Sequence, residues 1–163
     1  MANEAIRESM DTRVAGQYDV IVAGGGASGL IAAVSAARAG ARTAVIERSG
    51  CLGGTATYGM VAQWLGFYNR ETRVVGGLAY ELAGRVIAAG GSDGLNRYVL
   101  AEASAVPIPL INFPFNPEMV KIVADEFAQE ADVDIYLHAP IVKPLADGAR
   151  VEGVVIEIGR AHV

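Results

Sequence analysis

The sequence has a single cysteine, Cys51, so no disulfide can close within the chain. That is the cysteine usage of a reducing compartment, here taken as the cytoplasm, and the thiol itself reads as a small, partly buried loop residue. Histidine is almost as scarce, with only His138 and His162, and no metal site is expected. Positive charge is in deficit: 13 basic side chains face 18 acidic ones for a formal charge of −5. With no basic face and no interleaving of basic and aromatic residues, nucleic acid is excluded as a partner class. Long apolar runs are missing too. Ser35, Arg38 and Arg42 interrupt the most hydrophobic stretch before it reaches the ~20 residues that a membrane span needs. Met1–Gly16 mixes polar and charged residues without an apolar h-region. It is therefore no signal peptide, and residues 1–16 are expected to be a disordered lead-in.

What is abundant is glycine, with 20 residues, against a background that is 52% apolar and long enough at 163 residues for one domain with its own core. The most telling glycines lie between Tyr18 and Glu47. An apolar, β-rich run (Val20, Ile21, Val22) leads into Gly24, Gly26 and Gly29 at G-x-G-x-x-G spacing. A helical pattern (Leu30, Ile31, Val34, Ala37) follows, and a second strand ends in Glu47, 18 residues beyond Gly29. A glycine triplet alone is a weak signal, but strand, turn, helix, strand and acid in this order form the fingerprint of a dinucleotide-binding βαβ unit.

Each position has a chemical reason. Gly24 permits the turn out of the strand, Gly26 lets a pyrophosphate approach the backbone, and Gly29 lets the helix pack closely. The helix then presents unpaired N–H groups and the positive end of its dipole to the phosphates, the dipole contributing roughly 0.3–1 kcal/mol. Ala27 lies within this loop, and Ser28 is placed to add a hydroxyl. Glu47 is expected to accept hydrogen bonds from the adenosine ribose, and its charge disfavours a 2′-phosphate.

Further along, Arg48 to Thr57 form a glycine-punctuated loop in which Gly53, Gly54 and Thr55 are candidates to wrap a diphosphate. The aromatic-rich stretch Tyr58–Tyr68 is read as core rather than pocket lining. Gly76-Gly77 opens a predicted helix with Leu78, Leu82 and Val86 on its buried face, and Gly90-Gly91 closes it. Ser92 to Pro109 show no period and read as a long excursion, an insertion or a substrate-facing segment. Asn116-Pro117-Glu118 is a helix start, with Met119, Val123, Phe127 and Ala131 predicted to face the core. Val133, Ile135 and Leu137 alternate as a strand containing His138, which Ile141-Val142 is expected to continue past Pro140. A hairpin turns at Asp147-Gly148 and returns along Val151–Ile156.

With GGGASG at 24–29, ER at 47–48, LGGT at 52–55, VGGL at 75–78 and FNPEMVK at 115–121, residues 18–157 resemble the N-terminal part of FAD-dependent oxidoreductases of the glutathione-reductase-like class. The resemblance implies an α/β fold: a Rossmann-type FAD-binding domain, three-layered with a mainly parallel sheet and a β-hairpin. The domain would cover 17–157, with an inserted segment at about 58–115. The resemblance also implies FAD as cofactor. The pyrophosphate would lie on Gly24, Gly26, Ser28 and Gly29, the adenosine end on Glu47 and Arg48, and the diphosphate or ribityl region on Gly54 and Thr55. Adenine would be held by backbone near Ile141. Where disulfide-reducing relatives carry two cysteines this chain has Ala56 and Val61, so a dithiol relay is impossible here. No histidine can be assigned to a covalent flavin link. The family's sheet has a further strand and an Ala-Thr-Gly-Asp-like turn after the hairpin. Here the sequence instead ends in Ile158–Val163, which matches an in-frame translation of a sequencing adapter. A fragment, inactive by itself and carrying a non-native tail at 158–163, is therefore expected. The alternatives are a non-catalytic dinucleotide-binding module and an NAD-dependent dehydrogenase. Substrate, catalytic residues and oligomeric state are not encoded legibly.

Overall fold

The structure, a computed structural model, describes residues 11–100 and 108–157. The first ten residues of the expected lead-in, the expected tail at 158–163 and the middle of the 92–109 excursion lie outside the described residues; residues 11–18 carry neither helix nor strand.

Three short strands, β1 (Val20–Ala23), β2 (Thr43–Ile46) and β8 (Val133–Tyr136), form a parallel sheet in the order β1-β2-β8. Val20 pairs with Thr43 and Thr43 with Val133, which keeps Val22, Val45 and Ile135 on one face. Parallel strands need crossovers. Helix α1 (Ala27–Arg38) supplies the one between β1 and β2, and α3 (Pro117–Gln129) runs into β8. Leu30 and Val34 of α1, Val120, Val123, Ala124 and Phe127 of α3, and Val45 and Val133 of the sheet share one buried cluster. All four residues of β2 are buried, as expected for a central parallel strand.

The expected face of α3 is met at Val123, Phe127 and Ala131, the last packing partly buried against the core, and missed at Met119. Val120, Val123, Ala124, Phe127 and Ala128 are buried, whereas Met119 turns toward Gly91; Ala131 lies beyond the helix end at Gln129. Its start is as expected: Asn116 caps it by accepting the Glu118 N–H at 2.9 Å, with Pro117 in the first turn.

The segment from 58 to 115 holds strands as well as the expected helix. Strands β3 (Gln63–Leu65), β6 (Asn96–Leu100) and β7 (Ile108–Pro114) make an antiparallel sheet in the order β3-β7-β6. Between β3 and β6, β4 (Tyr68–Asn69) and β5 (Thr72–Arg73) form a small hairpin. Much of the expected excursion at 92–109 is thus strand, paired from Asn96↔Asn112 to Leu100↔Ile108. The absence of a period reflects β7, where Pro109 interrupts regular alternation. Within Tyr58–Tyr68 the core reading holds for only part of the stretch. Trp64 packs on Phe115 with ring centroids 4.3 Å apart and Phe67 is buried, but Tyr58, Met60, Val61 and Leu65 are exposed. Helix α2 (Gly77–Ala88) presents Leu82 and Val86 to the main core, as its spacing predicts.

Two expectations after α3 need correction. β8 ends at Tyr136, and His138 lies past it in a left-handed conformation with φ 53°. Ile141 does not continue that strand: it begins β9 (Ile141–Asp147), which pairs with β10 (Arg150–Ile156) as an antiparallel hairpin in a sheet of its own. The reversal at His138–Pro140 is what separates them, with the His138 N–H bound to the Ser49 carbonyl at 3.0 Å. Tyr18 ties the approach to β1 across the sheet, its hydroxyl 2.8 Å from Asp134 and 2.7 Å from the Tyr136 hydroxyl. Burial and these hydrogen bonds raise its pKa.

An ion-pair network joins the three helices. Glu81 of α2 holds Arg38 of α1 at 2.8 Å and Arg85 at 3.2 Å, and Arg85 reaches Glu130 at 2.7 Å. The hydrogen bond from Arg38 is the largest influence lowering the Glu81 carboxyl to about 2. A carboxylate depressed on folding contributes stability above its unfolded pKa, and that contribution is lost as pH falls through the folded value. Because the pairs are about one-third exposed, solvent screening limits the effect. Glu81→Gln should lower stability at neutral pH by on the order of 1 kcal/mol. The gap to the unmodified protein should close between pH 4.5 and about 2 in urea titrations; a gap independent of pH would contradict the network's role.

Candidate functional site

The carboxyl ends of β1 and β2 meet two glycine loops. In the first, Gly24 leaves β1 with φ 99°, and its N–H binds the Ile46 carbonyl at 2.8 Å. Gly26 stands at the N-cap of α1, and its carbonyl accepts the Leu30 N–H at 2.8 Å. Among the described residues no side chain caps this helix and no acid lies in its first turn, so its N-terminal N–H groups meet no side-chain acceptor there. The second loop, Gly53-Gly54-Thr55, folds directly onto the first. Gly53 and Gly26 form a parallel bridge, the Gly53 N–H binds the Gly25 carbonyl at 2.8 Å, and a Cβ on Gly54 would come within 2.9 Å of the Gly26 Cα. Glycine at 54 is what allows that approach, since any side chain there would run into the Gly26 backbone. A short 3-10 turn at Gly54–Ala56 follows.

Thr57 holds the second loop in place. It is fully buried, its hydroxyl donates to the Leu52 carbonyl at 2.6 Å, and its side chain fills the space above Gly53. Sequence reasoning missed it because a threonine after a glycine loop has no distinguishing spacing.

Glu47 follows β2 and is 8% exposed. One carboxylate oxygen, Oε2, accepts the Gly25 N–H at 2.7 Å; the other, Oε1, accepts the Ser49 N–H and the Ser49 hydroxyl, each at 2.7 Å. Burial pushes the group up, but the Ser49 and Gly25 donors and the nearby Arg48 guanidinium outweigh it and hold the carboxyl below its ordinary value. Glu47 is therefore an anion at neutral pH. Ser49 and Gly25 were not anticipated as its partners; the only signal was their nearness to the acid and to the glycine turn.

Two depressions flank Glu47. One, of ≈ 270 Å³, is bounded by Gly24, Ile46, Glu47, Arg48, Ala139 and Ile141. The other, of ≈ 300 Å³, is bounded by Glu47, Arg48, Ser49, Gly54, Thr55 and Tyr58. The expected residues Gly24, Glu47, Arg48, Gly54, Thr55 and Ile141 thus come together, with Gly26 and Gly53 at the junction of the loops. Ala27 and Ser28 border an apolar groove of ≈ 580 Å³ with Ile31, Trp64 and Leu82. Gly29 sits beneath the turn, where a Cβ would collide with the Gly24 carbonyl oxygen. An uncapped helix N-terminus, a double glycine cradle and a buried carboxylate at the second strand's end can together hold an anionic diphosphate and a neighbouring hydroxylated sugar.

A model of the family described as FAD dependent oxidoreductase matches residues 19–163. The chain belongs to that family. Over 38 residues, 23% of the chain, it is 55% identical to dihydrolipoyl dehydrogenase of Trypanosoma brucei brucei, of which it covers 8%. Among solved structures, the 3-ketosteroid-delta4-(5alpha)-dehydrogenase of Rhodococcus jostii superposes with a TM-score of 0.56 at 19% identity, over 90% of this chain and 43% of that one. Glycine oxidase of Bacillus cereus gives 0.53 at 16% identity, over 88% and 54%. At such identities the likeness is one of fold, the FAD-binding Rossmann type, and this chain spans about half the length of those two solved proteins. Among the described residues no helix is long and apolar enough to cross a membrane.

Proposed function

We propose that this chain is the FAD-holding portion of an oxidoreductase, with the diphosphate between the two glycine loops and the adenosine ribose on Glu47. The observation that carries the reading is Gly26. Its φ of −63° is ordinary for any residue, and a Cβ there would meet no atom of the described residues within 4 Å, so nothing among them accounts for glycine at this position. It lies beside Gly54 and the uncapped start of α1, where a phosphate needs the space that a side chain would fill.

Arg48 and Ile141 bound the depression beside Glu47 and are the residues we assign to the adenosine end; Gly53, Gly54 and Thr55 are assigned to the diphosphate. The α1 N-terminus, with Ala27, Ser28 and Gly29, gives the phosphates their backbone donors. The bound isoalloxazine supplies the electron-transfer chemistry, while these residues bind and orient the cofactor. The residues from about 17 to 157 form the binding domain, and the lone free cysteine is in keeping with a reducing cytoplasmic setting. The anionic Glu47 favours a free ribose over a 2′-phosphate, and the family match favours the flavin over a nicotinamide reading.

Titration of the intact apoprotein with FAD, followed by quenching of flavin fluorescence, tests the assignment. Glu47→Ala should weaken FAD binding by on the order of 1–3 kcal/mol, the range for losing a charged hydrogen bond. Unchanged affinity would remove Glu47 from the cofactor, and NAD binding as tightly as FAD would overturn the flavin reading.

A further inference from the structure

The Ser49 hydroxyl sits between two acceptors. It lies 2.7 Å from the Glu47 carboxylate and 3.1 Å from the Cys51 carbonyl, yet a hydroxyl carries one proton and can donate to only one of them at a time. The shorter distance and the charge both favour Glu47, because hydrogen bonds to ionised acceptors are the stronger ones. The main chain at Ser49 is itself fixed: its N–H donates to the same carboxylate oxygen at 2.7 Å, and its carbonyl accepts the His138 N–H at 3.0 Å. The Glu47 carbonyl is held in turn by the Ala139 N–H at 3.0 Å.

The count of acceptor sites sharpens the point. An ionised carboxylate offers about four lone-pair sites. Among the described residues Ser49 occupies two on Oε1 and Gly25 one on Oε2, leaving a single site on Oε2 for a ligand hydroxyl. A carboxylate that contributes one bond to its ligand depends on being aimed correctly, since nothing else on that group compensates for a rotated side chain.

We propose that Ser49 is a positioning residue for cofactor binding, fixing the Glu47 carboxylate so that its free lone pair meets a ribose hydroxyl. This rests on the assignment of Glu47 to the adenosine ribose. Ser49 also stands in the segment that leads into the second glycine loop, Gly53-Gly54. With the Glu47 carboxylate removed, the hydroxyl has the Cys51 carbonyl as its other acceptor, and Ser49 loses its influence on the ligand.

The test is a double-mutant cycle on the intact protein, stripped of flavin and titrated with FAD. Ser49→Ala should raise the FAD Kd about tenfold, the effect of one charge-assisted hydrogen bond. Ser49→Thr, which keeps the hydroxyl at this half-buried position, should restore it. In a Glu47→Ala background, Ser49→Ala should have no further effect, because its influence passes through the carboxylate. Thermal melts of each apoprotein separate binding from folding. Unchanged affinity in Ser49→Ala while Glu47→Ala binds weakly would overturn the positioning role and leave the ribose assignment standing. Additive losses in the double variant, or no rescue by threonine, would overturn it as well. Unchanged affinity in Glu47→Ala alone would bring down the ribose assignment, and this inference with it.

Discussion

Alanine at Gly29 is expected to destabilise the protein by about 3 kcal/mol or more, whereas alanine at Gly26, three residues earlier, should leave its melting curve nearly unchanged. The difference lies in what each added methyl would meet. At Gly29 a Cβ would fall on the Gly24 carbonyl oxygen, with Gly24 backbone carbon and a Val22 methyl close behind. Backbone cannot swing aside as a side-chain tip can, so α1 would have to lift from the β1 turn. Overpacking of this kind costs typically 1–3 kcal/mol and more where the obstruction is rigid. Lifting α1 would also disturb Leu30, which is fully buried.

At Gly26 no atom of the described residues lies within 4 Å of the added carbon, and substitutions free of such contacts usually change stability by less than about 0.5 kcal/mol. Its effect should fall on the ligand. With a methyl in the space assigned to the pyrophosphate, FAD affinity of the intact protein should drop by on the order of a hundredfold, or about 2.7 kcal/mol. Urea melts of both apoproteins, with flavin titrations, read the two outcomes separately. A Gly26→Ala protein that binds FAD normally would move the diphosphate out of this cradle. A Gly29→Ala protein that melts normally would mean that the turn relaxes more easily than its geometry implies.

The same contrast explains what could be read from sequence and what could not. The first glycine loop and Glu47 were legible because their functions fix a spacing: strand, turn, helix and strand set the number of residues between Gly24 and the acid. The Asn116-Pro117-Glu118 start of α3 was legible because capping is local chemistry. Ser49, Gly25 and Thr57 were not, since each acts through hydrogen bonds whose partners are chosen by the fold. On α3 only Met119 was misplaced, because it is as apolar as Val120 and the position of Gly91 decides which of them turns inward. The antiparallel sheet of β3, β7 and β6 was hidden for a related reason: Gln63–Leu65 pairs with Asn112–Pro114 across almost fifty residues, and nothing local to either segment announces the other.

Phe127→Ala should be the most damaging single change in the core, lowering stability by about 3–5 kcal/mol, the range for a fully buried phenylalanine. Phe127 is 0% exposed and stands where α1, α2 and α3 meet. It packs with residues of all three, and two guanidiniums face its ring, Arg38 at 5.0 Å and Arg85 at 4.8 Å from the centroid. Removing the ring would open a cavity and also withdraw the aromatic surface against which both arginines are held. Those arginines are the partners of Glu81, so the network joining the helices should loosen with the core. Phe127→Leu separates the two contributions. It keeps most of the apolar volume and should cost less than about 1.5 kcal/mol from packing, plus on the order of 1 kcal/mol from the lost cation–π contacts. The effect of Glu81→Gln on stability should then be smaller in the Phe127→Leu background than in the unmodified protein, because arginines no longer braced by the ring pair less firmly with the carboxylate. If the two changes prove additive in urea melts, the ring acts on the core alone and the ion pairs hold the helices together without it.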